Sequence, residues 1–128
     1  MSRPTFKVIV AGSRTASGAD IYSLLERKLD KILKHKAVTH DIVIVSGKAR
    51  GADQLGEQYA MSRSFQIESY PAESDQYGKR AGYLRNERMA QNADALVALW
   101  DGQSRGTKHM IDIADRHFLP TRIISLNR

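Results

Sequence analysis

Three short stretches of this chain set glycine beside basic or hydroxyl side chains: Gly12-Ser13-Arg14, Gly47-Lys48-Ala49-Arg50-Gly51-Ala52-Asp53, and Gly102-Gln103-Ser104-Arg105-Gly106-Thr107-Lys108. Each follows an apolar run and precedes a helical pattern, so each can present backbone N–H groups at a helix start. Such groups and the helix dipole attract anions, and glycine allows close approach to the backbone. Arg14, Arg105 or Lys108 would add charge-assisted hydrogen bonds. Phosphate is the simplest common ligand chemistry. Any one of these turns, taken alone, is better explained as a tight strand-to-helix connection, which needs glycine whether or not anything binds. The case for an anion rests on three of them meeting at one edge. Neither the Walker lysine pattern nor a G-x-G-x-x-G run is present, which argues against a P-loop nucleotidase and a standard dinucleotide dehydrogenase.

A second group of residues surrounds these turns. Tyr70-Pro71-Ala72-Glu73-Ser74-Asp75-Gln76-Tyr77-Gly78 carries two carboxylates and two rings. Glu73 or Asp75 would serve as a general base or hold ribose hydroxyls, and Tyr70 or Tyr77 would stack on a base. Helix capping and ordinary packing account for the same residues without a ligand. Arg85 and Arg88 lie one helical turn apart, with one placed to reach a phosphate and the other to face solvent. Trp100 reads as the last buried residue of a strand. His109 and His117 are eight residues apart, with no HxxxH or HExxH spacing, so no metal site is expected. Ser13 and Ser46 lack a G-x-S-x-G elbow. No cysteine is present, which excludes disulfides, thiol nucleophiles and iron–sulfur clusters, and no cofactor is implied.

The elements that must position these residues alternate. Thr5 to Ala11, Asp41 to Ser46, Gln66 to Tyr70, Ala95 to Trp100 and Thr121 to Leu126 read as short apolar or β-branched strands. Helical spacing runs from Ala19 to about His35, through Leu55, Tyr59 and Ala60, from about Ala81 to Asn92, and from about Thr107 to Phe118, with Ala72 to Arg80 as the longest loop. Arg27, Lys31 and Lys34 share one face of the first helix. Strand and helix in alternation imply an α/β domain, a parallel sheet with helices on both faces and right-handed crossovers. The expected strand order is 3-2-1-4-5, with the ligand crevice at the carboxyl ends of strands one and four.

Composition agrees with one Rossmann-like domain over residues 1–128. Hydrophobic residues make up 41% and charged residues 27%, enough apolar material for a core. No run approaches the ~20 apolar residues of a membrane span, and the N-terminus has no signal pattern, so a cytoplasmic protein with no membrane partner is expected. The formal charge of +6, from 20 basic and 14 acidic residues, makes polyanions compatible partners.

The combined motifs then become informative. Gly12-Ser13-Arg14, Ser46 to Asp53, Tyr70-Pro71-Ala72-Glu73, Arg85-Asn86-Glu87-Arg88-Met89-Ala90 and Trp100 to His109 together resemble the YspA-related SLOG family over nearly the whole chain. The resemblance implies a small Rossmann-like protein of bacteria or their phages. Its superfamily includes the LOG-type nucleotide phosphoribohydrolases and DNA processing protein A, and a nucleotide or nucleotide-derived ligand is expected in the crevice. LOG-type enzymes pair an RKxxM segment with GGxGTxxE, and Arg85 to Met89 and Arg105 to Met110 are similar to the two. Arg85 and Gly106-Thr107 carry over, but Met110 occupies the position of the catalytic glutamate. A thioether neither accepts a proton nor stabilises a sugar cation. The same departure counts against the nucleoside deoxyribosyltransferases. Any catalytic carboxylate must come from Glu73, Asp75 or Asp53, and Ser74 stands where relatives often have Trp.

The leading expectation is therefore a nucleotide sensor or sequestering protein. Gly12, Ser13, Arg14, Gly47, Gly51, Asp53, Asp101, Arg105, Gly106, Thr107 and Lys108 would line the ligand site, and Arg85 would supply the fixed charge. The alternative is a nucleoside monophosphate N-glycosidic hydrolase using Arg85 with Glu73 or Asp75. A second alternative is a nucleic-acid-binding protein, suggested by the net charge. Related folds often pair subunits near their ligand sites, so a homo-oligomer is compatible with the resemblance.

Overall fold

A computed structural model describes residues 3–126, with the side chains of Asp75 and Lys79 outside the description. Five strands form one parallel sheet: β1 (Thr5–Gly12), β2 (Asp41–Ser46), β3 (Gln66–Ser69), β4 (Ala95–Trp100) and β5 (Thr121–Ser125), in the order β3-β2-β1-β4-β5. This is the topology expected from the alternation of elements. The helices are α1 (Ala19–Leu33), α2 (Lys36–Thr39), α3 (Ala52–Arg63), α4 (Ser74–Tyr77), α5 (Ala81–Gln91) and α6 (Arg105–Arg116). Among the described residues, no helix is long and apolar enough to cross a membrane.

The central strands β2, β1 and β4 are apolar on both faces because both are covered, whereas the edge strands β3 and β5 carry polar residues and stay partly exposed. Successive side chains alternate sides. Val8 and Val10 pack with Ile42, Ile44, Val97 and Leu99 beneath α1 and α3, where Leu25, Leu29, Leu33 and Tyr59 are buried. Ile9, Ala11, Val45, Leu96 and Ala98 face the other way, against Met89 and Ala90 of α5 and Met110, Ile113 and Ala114 of α6. The register pairs Ile9 with Leu96 and Gly12 with Leu99, so the ends of β1 and β4 lie side by side. Past those ends the chain leaves toward opposite faces, which opens a crevice.

Three local expectations are corrected. The first helix stops at Leu33, and the chain turns into the separate α2, which Arg3 fastens by donating to the carbonyls of Ala37 (2.8 Å) and His40 (3.0 Å). The stretch from Ala72 to Arg80 is not an open loop. It holds α4 and a 3-10 turn over Gly78–Arg80, elements too short to leave a periodic signal. Finally, α6 starts at Arg105, two residues early, because Ser104 caps it and accepts from the Thr107 amide.

Candidate functional site

Ser13 joins the three glycine-bearing turns. Its amide donates to the Leu99 carbonyl at 2.8 Å, its carbonyl accepts from Ala52 at the start of α3 at 3.2 Å, and its hydroxyl accepts from the Asp101 amide at 3.2 Å. The residue is 1% exposed. Its hydroxyl is thus a strut between the β1 and β4 turns rather than a group facing the crevice. Neighbouring glycines permit the close approach. A Cβ on Gly12 would lie 2.1 Å from the Leu99 carbonyl oxygen, and Gly51, at φ +80°, would place one 2.5 Å from the carbonyl oxygens of Ser13 and Arg14. Asp101 is spent on the same framework. It accepts from the amides of Gln103 and Ser104, both at 2.8 Å, and these bonds hold its carboxyl below the usual carboxylate range.

The framework surrounds a cleft of about 290 Å³ between α5, α6 and the ends of the strands. Of the residues expected at a ligand site, Gly12, Arg14, Asp53, Arg85, Gly106 and Thr107 line it. Ser13, Gly47, Gly51, Glu73, Asp101, Arg105 and Lys108 do not. Glu73 is tied to Arg88 at 3.2 Å, and Lys108 pairs along α6 with Asp112 at 2.8 Å. Asp75 was expected as a carboxylate of the site, and its side chain lies outside the described residues. Met110 lines the cleft, where the motif comparison places it in the position of a glutamate.

Charge in the cleft comes from Arg14, Arg85 and Asp53. Arg85 reaches from α5 to donate Nη1 to the Gly47 carbonyl and Nε to Asn86 Oδ1 at 3.0 Å. Burial draws its guanidinium pKa down, and the nearby Asp53 carboxylate opposes this. Asp53 is 5% exposed and accepts from the Ala49 amide at 3.0 Å. Burial pushes its pKa up to about 6, against the opposing pull of the Ala49 amide and of Arg85. Gly47 leaves the space in which these groups meet. A Cβ there would sit 2.6 Å from Arg85 Nη1 and 3.0 Å from Asp53 Oδ2. Because the arginine tip can swing aside, Gly47→Ala should keep the fold while weakening anion binding about tenfold. Titration alongside a melting curve would check this.

Sequence reasoning missed the wall formed by α5 and α6. Asn86 is buried, and its Nδ2 donates to His109 Nδ1 at 3.1 Å and lies 3.4 Å from the Gly106 carbonyl. That bond leaves the His109 proton on Nε2. The Tyr83 ring lies 4.4 Å from the His109 ring, centroid to centroid. Tyr83 and Asn86 both line the cleft. The available signal was Arg85-Asn86 with Tyr83 two residues earlier, but only the packing of α5 on α6 brings His109 to them. Tyr70 or Tyr77 was expected to stack on a base. Neither lines the cleft, and the Tyr70 hydroxyl instead donates to Glu68 at 2.6 Å.

The model of a family described as YspA, cpYpsA-related SLOG matches residues 6–77. The Gene 61 protein of Mycobacterium phage D29 is 31% identical over 120 residues, spanning 89% of this chain and 92% of that protein. In structure, the chain is similar to DNA processing protein A from Helicobacter pylori, whose single-stranded DNA binding mode has been described. The TM-score is 0.67 at 20% identity, over 98% of this chain and 68% of that one. DNA processing protein A from Streptococcus pneumoniae gives 0.66 at 16% identity, over 94% of this chain and 50% of that one. These two likenesses concern the fold, and the chain spans only about half the length of the second. The family match covers the β1 and β2 turns, while Arg85 and the α6 turn lie beyond it.

Proposed function

The chain belongs to the YspA, cpYpsA-related SLOG family, and on that footing we propose that its cleft binds a phosphorylated nucleotide unit, with the phosphate at Arg14 and Arg85. The observation that carries this reading is the state of Arg85. Its guanidinium is partly buried beside the cleft and hydrogen-bonded to two neutral oxygens, with Asp53 acting on it at longer range. A desolvated cation of this kind gains from an incoming anion. Arg14 adds a second, exposed charge from a different element, and the first turn of α6 borders the same space. About 290 Å³ is at the small end of the ~300–1,000 Å³ of ligand clefts, a size for one nucleotide unit rather than a dinucleotide.

Calorimetric titration with AMP, GMP, CMP, UMP, ribose 5-phosphate and inorganic phosphate tests the reading. Saturable 1:1 binding of a monophosphate, weakened by Arg14→Ala, is the expected result. Silence across the panel at ~10 mM would abandon it, since that corresponds to less than about 3 kcal/mol of binding. Mass spectrometry of the same mixtures shows whether free base is released. Release would make the bound nucleotide a substrate and direct attention to Asp53, the carboxylate that lines the cleft.

A second reading, binding of single-stranded nucleic acid, draws support from the fold shared with DNA processing protein A of Helicobacter pylori and from the charge of +6. Arg27 and Lys31 are exposed on α1, and Lys34 is exposed just past its end. That crossover helix runs from the carboxyl edge of the sheet toward the opposite edge, so the later basic residues lie away from the cleft. Oligonucleotide binding that falls steeply with salt and survives replacement of Arg85 would favour this reading over the cleft.

A further inference from the structure

The nucleotide reading leaves the α5–α6 wall unexplained, and that wall has the makings of an aromatic platform. Tyr83 lines the cleft, yet is 48% exposed, high for a large ring beside a core. Its ring is not loosely placed. His109 lies behind it at 4.4 Å with an interplanar angle of 51°, and the Asn86 amide holds the imidazole through Nδ1. Asn86 is itself buried and borders the cleft next to Arg85, whose Nε donates to its Oδ1. One short segment of α5 therefore carries both the cation and the ring, and ties the ring to α6.

We propose that Tyr83 is the stacking surface for the nucleobase of the bound nucleotide, with His109 as its backing ring and Asn86 as the residue that positions His109. The proposal rests on the nucleotide reading of the cleft and adds a division of labour to it, with phosphate at the arginines and base at Tyr83. The remaining lining suits this division. Ala11, Met89 and Met110 are buried core residues that give the cleft an apolar floor, where a flat ring is better accommodated than a second charged group. Burial lowers the His109 pKa, so the backing ring stays neutral near pH 7 and adds no charge beneath the base. Stacking on a tyrosine discriminates little among bases, so modest preference within the monophosphate panel follows.

The test compares each monophosphate that binds the wild-type protein with ribose 5-phosphate, which has the phosphate and sugar but no base. Tyr83→Ala should weaken the monophosphate about 10- to 100-fold and leave ribose 5-phosphate within about twofold. Tyr83→Phe should retain affinity for both, and His109→Ala should weaken only the monophosphate, by a few-fold. A Tyr83→Ala variant that melts like wild type but loses both ligands equally, or neither, overturns the platform while leaving the phosphate site standing. A wild-type protein that binds neither ligand overturns the nucleotide reading and the platform with it.

Discussion

Replacing Arg85 with methionine should weaken nucleoside monophosphate binding about 100-fold while leaving the melting temperature within a few degrees of wild type. Truncating one partner of a desolvated charge pair costs ~2–5 kcal/mol of binding, and ~2.7 kcal/mol is a factor of 100. Folding responds less, because the apo protein carries the cost of keeping this guanidinium partly out of water with neutral oxygens as its hydrogen-bond partners. Methionine fills comparable space without that cost. Arg85→Lys should rescue little. An ammonium ion cannot bond the Gly47 carbonyl and the Asn86 amide while offering a planar fork to phosphate. Unchanged affinity in the methionine variant, measured by calorimetry at constant salt, would remove the phosphate from Arg85.

Asp53→Asn should make the protein more stable at pH 8 and leave it unchanged near pH 4. The folded pKa of Asp53 is raised from 3.8 to about 6, so the folded state holds its proton more tightly than the unfolded chain. Stability from this group is greatest below pH 4, falls as pH rises from about 4 to 6, and is lowest above that window. At 1.36 kcal/mol for each pH unit, the penalty at neutral pH is about 3 kcal/mol, equivalent to a melting-temperature difference of roughly 10–15 °C. Asparagine keeps an acceptor for the Ala49 amide and avoids the penalty. An equal gain at pH 4 and pH 8 would show that the ionised carboxylate is not the cause.

The same titration should act on ligand affinity. Protonating Asp53 removes the negative charge beside Arg85, so the cleft should take up sulfate more readily as pH falls through 6. Sulfate is the informative probe because phosphate monoesters titrate near the same pH. The increase should be lost in Asp53→Asn. Such a result would give the buried carboxylate a part in tuning the anion affinity of the cleft, at the expense of stability.

Much of the architecture follows from one-dimensional signals. Apolar runs of four to six residues are too short for anything but strands when helical spacing separates them, and strict alternation of the two dictates a parallel sheet covered on both faces. The turns that carry Gly12, Gly47 and Gly106 could be located for the same reason, since a strand must end before a helix can begin. The motif resemblance also singled out Arg85, Gly106 and Thr107, and all three line the cleft.

Roles within the site were decided by tertiary structure. Ser13 has the appearance of a ligand-binding hydroxyl, but the Asp101 amide, 88 residues away, already occupies it. Glu73 was an attractive base until Arg88, on the next long helix, took its carboxylate. Asp53 looked like one acidic residue among three, and its raised pKa comes from burial that no local pattern records. Tyr83 and His109 are 26 positions apart and meet only because α5 and α6 pack on the same face of the sheet. Periodicity reports which face of an element is apolar, and turn chemistry reports where the chain reverses. Which polar groups consume one another, and which are left facing an open space, depends on contacts between distant segments, and those exist only once the layers have closed.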